Sequence, residues 1–135
     1  MSYSYTMKGF TYPDFHVTLK LSGSSLPTDM NQLVGLAVSQ DVTSANTVKL
    51  AASEDEILGV IFQAENGVSQ GEGISVTVAL KGGYAVEYDG TAPDIGDKVM
   101  GAGAGKITTA TEGVASHGRV WEVDSANKIA VVYFE

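Results

Sequence analysis

The chain has 135 residues, room for one domain with a real core and too little for two. It contains no cysteine, which removes disulfide frameworks, thiolate metal sites and cysteine nucleophiles together. The formal net charge is −8, and the whole excess lies between Glu54 and Asp97, where nine acids stand against Lys81. Such a stretch repels a polyanion and argues against a nucleic-acid partner; its plain reading is a solvated, solubilising face.

The opening M-S-Y-S-Y-T-M-K-G-F lacks the apolar run of a signal peptide, and no segment is long enough to span a bilayer. The expectation is a soluble protein made in a cytoplasm, without a membrane partner. Residues 1–14 stand apart as an extended N-terminal arm, in which Tyr3, Tyr5, Phe10 and Tyr12 are spread through serine, threonine, glycine and proline. A disordered tail is poor in aromatics, so this segment is expected to dock. Two readings are open: it folds back on its own domain, or it binds a partner.

Residues 15–135 read as strands. Phe15, Val17, Leu19 and Leu21 alternate with polar residues at a period of two. S-G-S-S-L-P-T-D-M-N is a loop with room for one helical turn begun by Thr28 or Asp29. L-V-G-L-A-V-S and T-V-K-L-A are short strands, and S-E-D-E is an acidic turn. The segments Ile57 to Phe62 and Ile129 to Phe134 are apolar on both faces. Each either lies between two sheets or turns one face to a neighbouring subunit, so a homo-oligomer is expected.

In G-I-S-V-T-V-A-L-K-G-G-Y-A-V-E-Y, a hairpin at Gly82-Gly83 would place Glu87 opposite Val78 on the apolar side. A chain that continues through the glycines keeps Ile74, Val76, Val78, Leu80, Tyr84, Val86 and Tyr88 on one face. The bent strand is favoured, because glycine inside a strand commonly marks a corner. The pattern continues with T-A-P-D-I-G-D, K-V-M, K-I-T-T, H-G-R-V-W-E-V and K-I-A-V-V-Y-F. Nine or ten short strands without sustained helical periodicity predict an all-β barrel or sandwich.

The stretch Met100 to Ala110, M-G-A-G-A-G-K-I-T-T-A, invites a phosphate-binding reading. A Walker loop needs glycine where Met100 stands, a hydroxyl where Ile107 stands, and a helix afterwards, so this is a turn. Glu54, Asp55 and Glu56, and Asp89, Asp94 and Asp97, are acidic turns that match no EF-hand spacing. His16 and His117 belong to no histidine–carboxylate–nucleophile series and have no metal-ligand spacing. Lys98 resembles the modified lysine of lipoyl and biotinyl carriers, yet it opens a strand instead of tipping a hairpin. The expectation is no enzyme, no cofactor and no metal. Arg119 and Trp121 share one face of a strand; a lone tryptophan in a small β domain is expected in the core, and exposed it would mark a binding hot spot.

From Leu33 to Phe134 the order of motifs resembles the small capsid decoration (head-stabilising) proteins of tailed bacteriophages. The motifs are L-V-G-L-A-V, L-A-A-S-E-D-E-I-L-G-V-I-F, G-E-G-I-S-V-T-V-A-L-K-G-G, P-D-I-G-D-K-V-M-G-A-G-A-G-K-I-T and G-R-V-W-E-V-D…I-A-V-V-Y-F. The resemblance implies a β-barrel or β-tulip subunit that assembles as a homotrimer on the outer surface of a phage head and clamps the major capsid protein lattice. It also implies an N-terminal arm reaching that lattice, a role that Tyr3, Tyr5, Phe10 and Tyr12 fit by position. Ile57, Ile61, Val132 and Phe134 are the candidates for the oligomer interface. The alternative is a carbohydrate- or receptor-binding module of a fibre or adhesin, with Trp121 and Tyr84 or Tyr88 as a stacking platform.

Overall fold

The computed structural model describes residues 16–23, 26–67 and 73–134; the arm residues Tyr3, Tyr5, Phe10 and Tyr12 lie outside them. Period-two apolar runs cut by turn residues produce ten strands in this range: β1 (His16–Ser22), β2 (Ala37–Gln40), β3 (Thr47–Leu50), β4 (Gly59–Asn66), β5 (Ile74–Ala79), β6 (Gly82–Glu87), β7 (Val99–Gly103), β8 (Lys106–Thr109), β9 (Gly118–Asp124) and β10 (Ile129–Phe134). The first five close into a barrel in the order β1-β3-β2-β4-β5, with β1 and β3 parallel and the other pairs antiparallel. Beside it stand a three-stranded sheet, β6-β10-β9, and the hairpin β7-β8. The fold is all-β, as the strand pattern predicts, and one 3-10 turn at Met30–Gln32 is capped by the Asp29 carboxylate accepting from the Asn31 N–H.

Two hydrophobic clusters result. Leu21, Leu33, Val38, Val48, Ile61, Val76 and Val78 form one, drawn largely from the barrel strands. The second joins barrel residues such as Ala37 and Val60 to Val86, Val99, Ile107, Val120, Val132 and Phe134 of the other sheets. Neighbouring residues of β4 thus serve different cores, Ile61 one and Val60 the other. Successive side chains on a strand point to opposite faces, so a strand between two cores must be apolar on both. Fully burying each such Val, Ile or Phe contributes roughly 1.5–3 kcal/mol.

Gly82-Gly83 makes no hairpin, but the expected single bent strand with one unbroken apolar face is corrected. The strand breaks at Leu80 and Lys81, and Val76 and Val78 serve one core while Val86 and Tyr88 serve the other. β5 pairs within the barrel and β6 pairs with β10, and the bend uses Gly82 at φ 109°. A left-handed backbone of this kind suits glycine. Met100–Ala110 is the β7-β8 hairpin, turned by Ala104 (φ 54°) and Gly105 (φ 81°). Two central residues with positive φ define the turn that matches strand twist. At Gly101 the hairpin docks on the acidic turn: its N–H donates to the Asp55 carbonyl and its carbonyl accepts from the Glu54 N–H, each at 2.9 Å. A Cβ there would overlap the Ala52 carbonyl oxygen.

Among the described residues bulges break three ladders, at Phe62 in β4, Ala102 in β7 and Trp121 in β9. A bulge sets two residues opposite one and re-aims a side chain. Phe62 and Gln63 both point out of the barrel, as Trp121 and Glu122 both point off the sheet.

Candidate interaction surface

The outward face of the three-stranded sheet carries an apolar, ring-bearing patch beside the exposed Arg119, Glu122 and Glu87. Tyr133 and Val131 of β10 project from it, and the β9 bulge adds Trp121. Trp121 is 72% exposed and Tyr133 48%, with ring centroids 6.4 Å apart and planes inclined by 42°. With Val131 and Gly83 they line a depression of about 490 Å³. The outer edge of β9 is occupied: Gly96 N–H donates to the Val120 carbonyl, and Val120 N–H to that of Asp97. The outer edge of β6 between Gly82 and Glu87 has no paired strand among the described residues.

This arrangement corrects three expectations. Trp121 lies outside the core, because the bulge and its partner Tyr133 hold it on the solvent side of the sheet. Ile57, Ile61, Val132 and Phe134, expected at an oligomer interface, are each at most 2% exposed and belong to the subunit's own cores. Ile61, Val132 and Phe134 have the inward parity of their strands, and Ile57 is buried just before β4; outward apolar residues include Phe62 on β4 and Val131 and Tyr133 on β10. The expected stacking platform is also different: Tyr88 is buried, Tyr84 is half-buried with its hydroxyl donating to the Lys81 carbonyl, and Tyr133 is the ring beside Trp121.

The carboxylates hold turns. Asp55 Oδ2 accepts from the Ala52 N–H and the Ser39 hydroxyl, each at 3.0 Å, and lies 3.4 Å from Lys49 Nζ. Burial pushes the Asp55 pKa up, but these hydrogen bonds and the Lys49 charge together hold it below the usual carboxylate value. Asp41 accepts from the Thr43 hydroxyl and N–H and the Ser22 hydroxyl, which lower its pKa from 3.8 to about 2. Asp97 accepts from the Asp94 N–H and the Thr109 hydroxyl. Asp124, held low by the Asn127 side chain and backbone N–H, organises the turn into β10. Among the described residues no group of three or more His, Asp or Glu is placed to hold a metal ion.

The histidines lie apart. His16 stacks on Phe62, with ring centroids 4.7 Å apart. His117 Nδ1 is 3.9 Å from Glu56 Oε2, and its ring tilts over Phe134. That pair is open to solvent, and the adjacent Ser116 hydroxyl donates to the Gly118 carbonyl and accepts from the Val99 and Gly118 N–H groups. Lys98 begins the approach to β7, bridged to Arg119, as a strand-opening residue. No described helix is long and apolar enough to cross a membrane.

A closed barrel, an adjoining sheet and turns capped by carboxylates place the chain among small all-β proteins built around packing. A family comparison makes this specific: residues 15–133 match the XM1 gp53 minor capsid protein family. The chain belongs to that family and is a structural protein of a phage virion. No curated protein and no solved structure matches it.

Proposed function

We propose that the chain is a capsid decoration protein. It is non-enzymatic, assembles as a homotrimer, sits on the outer surface of the head and clamps neighbouring major capsid proteins. The observation that carries this reading is the family match over residues 15–133. The outward rings Trp121, Tyr133 and Phe62 on a body whose acids cap its own turns are consistent with it. Aromatic side chains on a rigid scaffold supply large contact area at low entropic cost.

In this reading the leader aromatics, Tyr3, Tyr5, Phe10 and Tyr12, engage the shell. A trimer presents three leaders to one lattice, so contacts that are modest singly add through effective concentration. The test mixes purified protein with undecorated heads and with bare major capsid protein. Sedimentation with either is expected, and binding to neither overturns the reading. Light scattering on the free protein is expected to give three times the chain mass.

A further inference from the structure

The depression lined by Gly83, Trp121, Val131 and Tyr133 has the dimensions of a small-ligand site. Its volume of about 490 Å³ falls within the range of such pockets, roughly 300–1,000 Å³. Two rings line it, with centroids 6.4 Å apart and planes inclined by 42°, so two flat units joined at an angle can each meet one ring. The space between them exists because β6 contributes a glycine. A Cβ built on Gly83 would stand 4.0 Å from both Tyr133 Cδ2 and Val131 Cγ1, and a longer side chain would fill the depression. Gly83 has no positive φ, so its backbone does not require glycine; what the missing side chain provides is room.

The polar groups beside the rings narrow the chemistry. Arg119 and Glu122 are exposed on β9 to either side of Trp121. The ladder sets Arg119 across from Tyr133 and Glu122 across from Val131. A guanidinium with five donors thus stands at one end of the depression and a carboxylate acceptor at the other, and their charges cancel. Glutamate beside the rings is unlike the centre of a protein interface, where acids are depleted. An anionic ligand would meet Glu122, and the net charge of −8 disfavours a nucleic acid.

A neutral sugar matches each part. The C–H face of a pyranose packs on the electron-rich face of an aromatic ring, and its hydroxyls stand round the rim, within reach of donors and acceptors. We propose that the Trp121–Tyr133 face binds a neutral oligosaccharide. Two successive sugar units stack on the two rings, and their hydroxyls bond to Arg119 and Glu122. The inference goes beyond the decoration reading and does not depend on it, since capture of a saccharide and attachment to a head are separate activities of one body.

Trp121 is the single tryptophan of the chain, so its fluorescence reports this site alone. The free protein is titrated with neutral tetrasaccharides of glucose, of galactose and of N-acetylglucosamine. At least one is expected to shift the emission saturably; no saturable shift with any of them overturns the proposal. Gly83→Leu fills the depression while keeping both rings, and is expected to weaken that binding at least about tenfold. Arg119→Ala, at an exposed position that leaves the depression open, is expected to weaken it at least about fivefold. Unchanged affinity in either variant overturns the site. Both variants are expected to keep the light-scattering mass of the native chain; a lower mass places this face between copies of the protein and overturns the proposal. No measurement here uses heads, so failure to bind a saccharide and failure to bind heads are distinct results.

Discussion

Asp55 illustrates how an acid-rich segment stays folded. Ser39 is only 4% exposed, and its hydroxyl donates to the Asp55 carboxylate, which also receives the Ala52 N–H. Asp55→Ala leaves that hydroxyl without its acceptor and is expected to cost about 1–3 kcal/mol, read from the shift in urea midpoint. Asp41 gives a pH signature. Its folded pKa is depressed from 3.8 to about 2, so the folded state is favoured while the carboxylate is ionised. That contribution is complete above about pH 4 and fades as pH falls towards about 2. The melting-temperature gap between the native chain and Asp41→Asn is therefore expected to be open at neutral pH and to close as pH falls through about 2. At Gly101 the Ala52 carbonyl occupies the space of a Cβ, and Gly101→Ala is expected to destabilise by about 1–3 kcal/mol.

Bulges decide what the elements present. In β9 and β4 the extra residue is an aromatic turned outward, Trp121 and Phe62. Trp121→Ser is accordingly expected to move thermal stability by no more than about 0.5 kcal/mol, since little of the indole is buried. Phe134→Ala, on the inward parity of β10, is expected to cost about 3–5 kcal/mol, because the ring is 1% exposed and packs in the second core. Calorimetry of the two variants separates the faces of the sheet. Were Trp121 a core residue, the two losses would be similar.

For the whole molecule, the two clusters share strands, because Val60 and Ile61 of β4 face different ones. Barrel and adjoining sheet are expected to unfold together, with fluorescence of the single tryptophan and far-ultraviolet dichroism giving coincident denaturant transitions. Attachment to a lattice adds a separate prediction. Serine at Tyr3 and Tyr5 is expected to weaken sedimentation with heads while leaving the light-scattering mass unchanged. A loss of mass would place those rings in the assembly of the protein with itself.

What the sequence determined by itself was the class of the fold, the turns and the absence of a phosphate loop. Period-two alternation and positive-φ turn residues act over a few neighbouring positions, so Ala104-Gly105 and the Asp124 turn were legible without a structure. The sequence also marked Ile57 to Phe62 and Ile129 to Phe134 as apolar on both faces. Only the tertiary structure decided what each face meets. Val60 and Ile61 have a core on either side, while β10 has one core and an outward face with Val131 and Tyr133. The position of Trp121 was equally hidden, because a bulge is a property of two paired strands and leaves no mark on one of them. Burial is a sum over partners distant in the chain, and those partners are fixed only when the barrel closes.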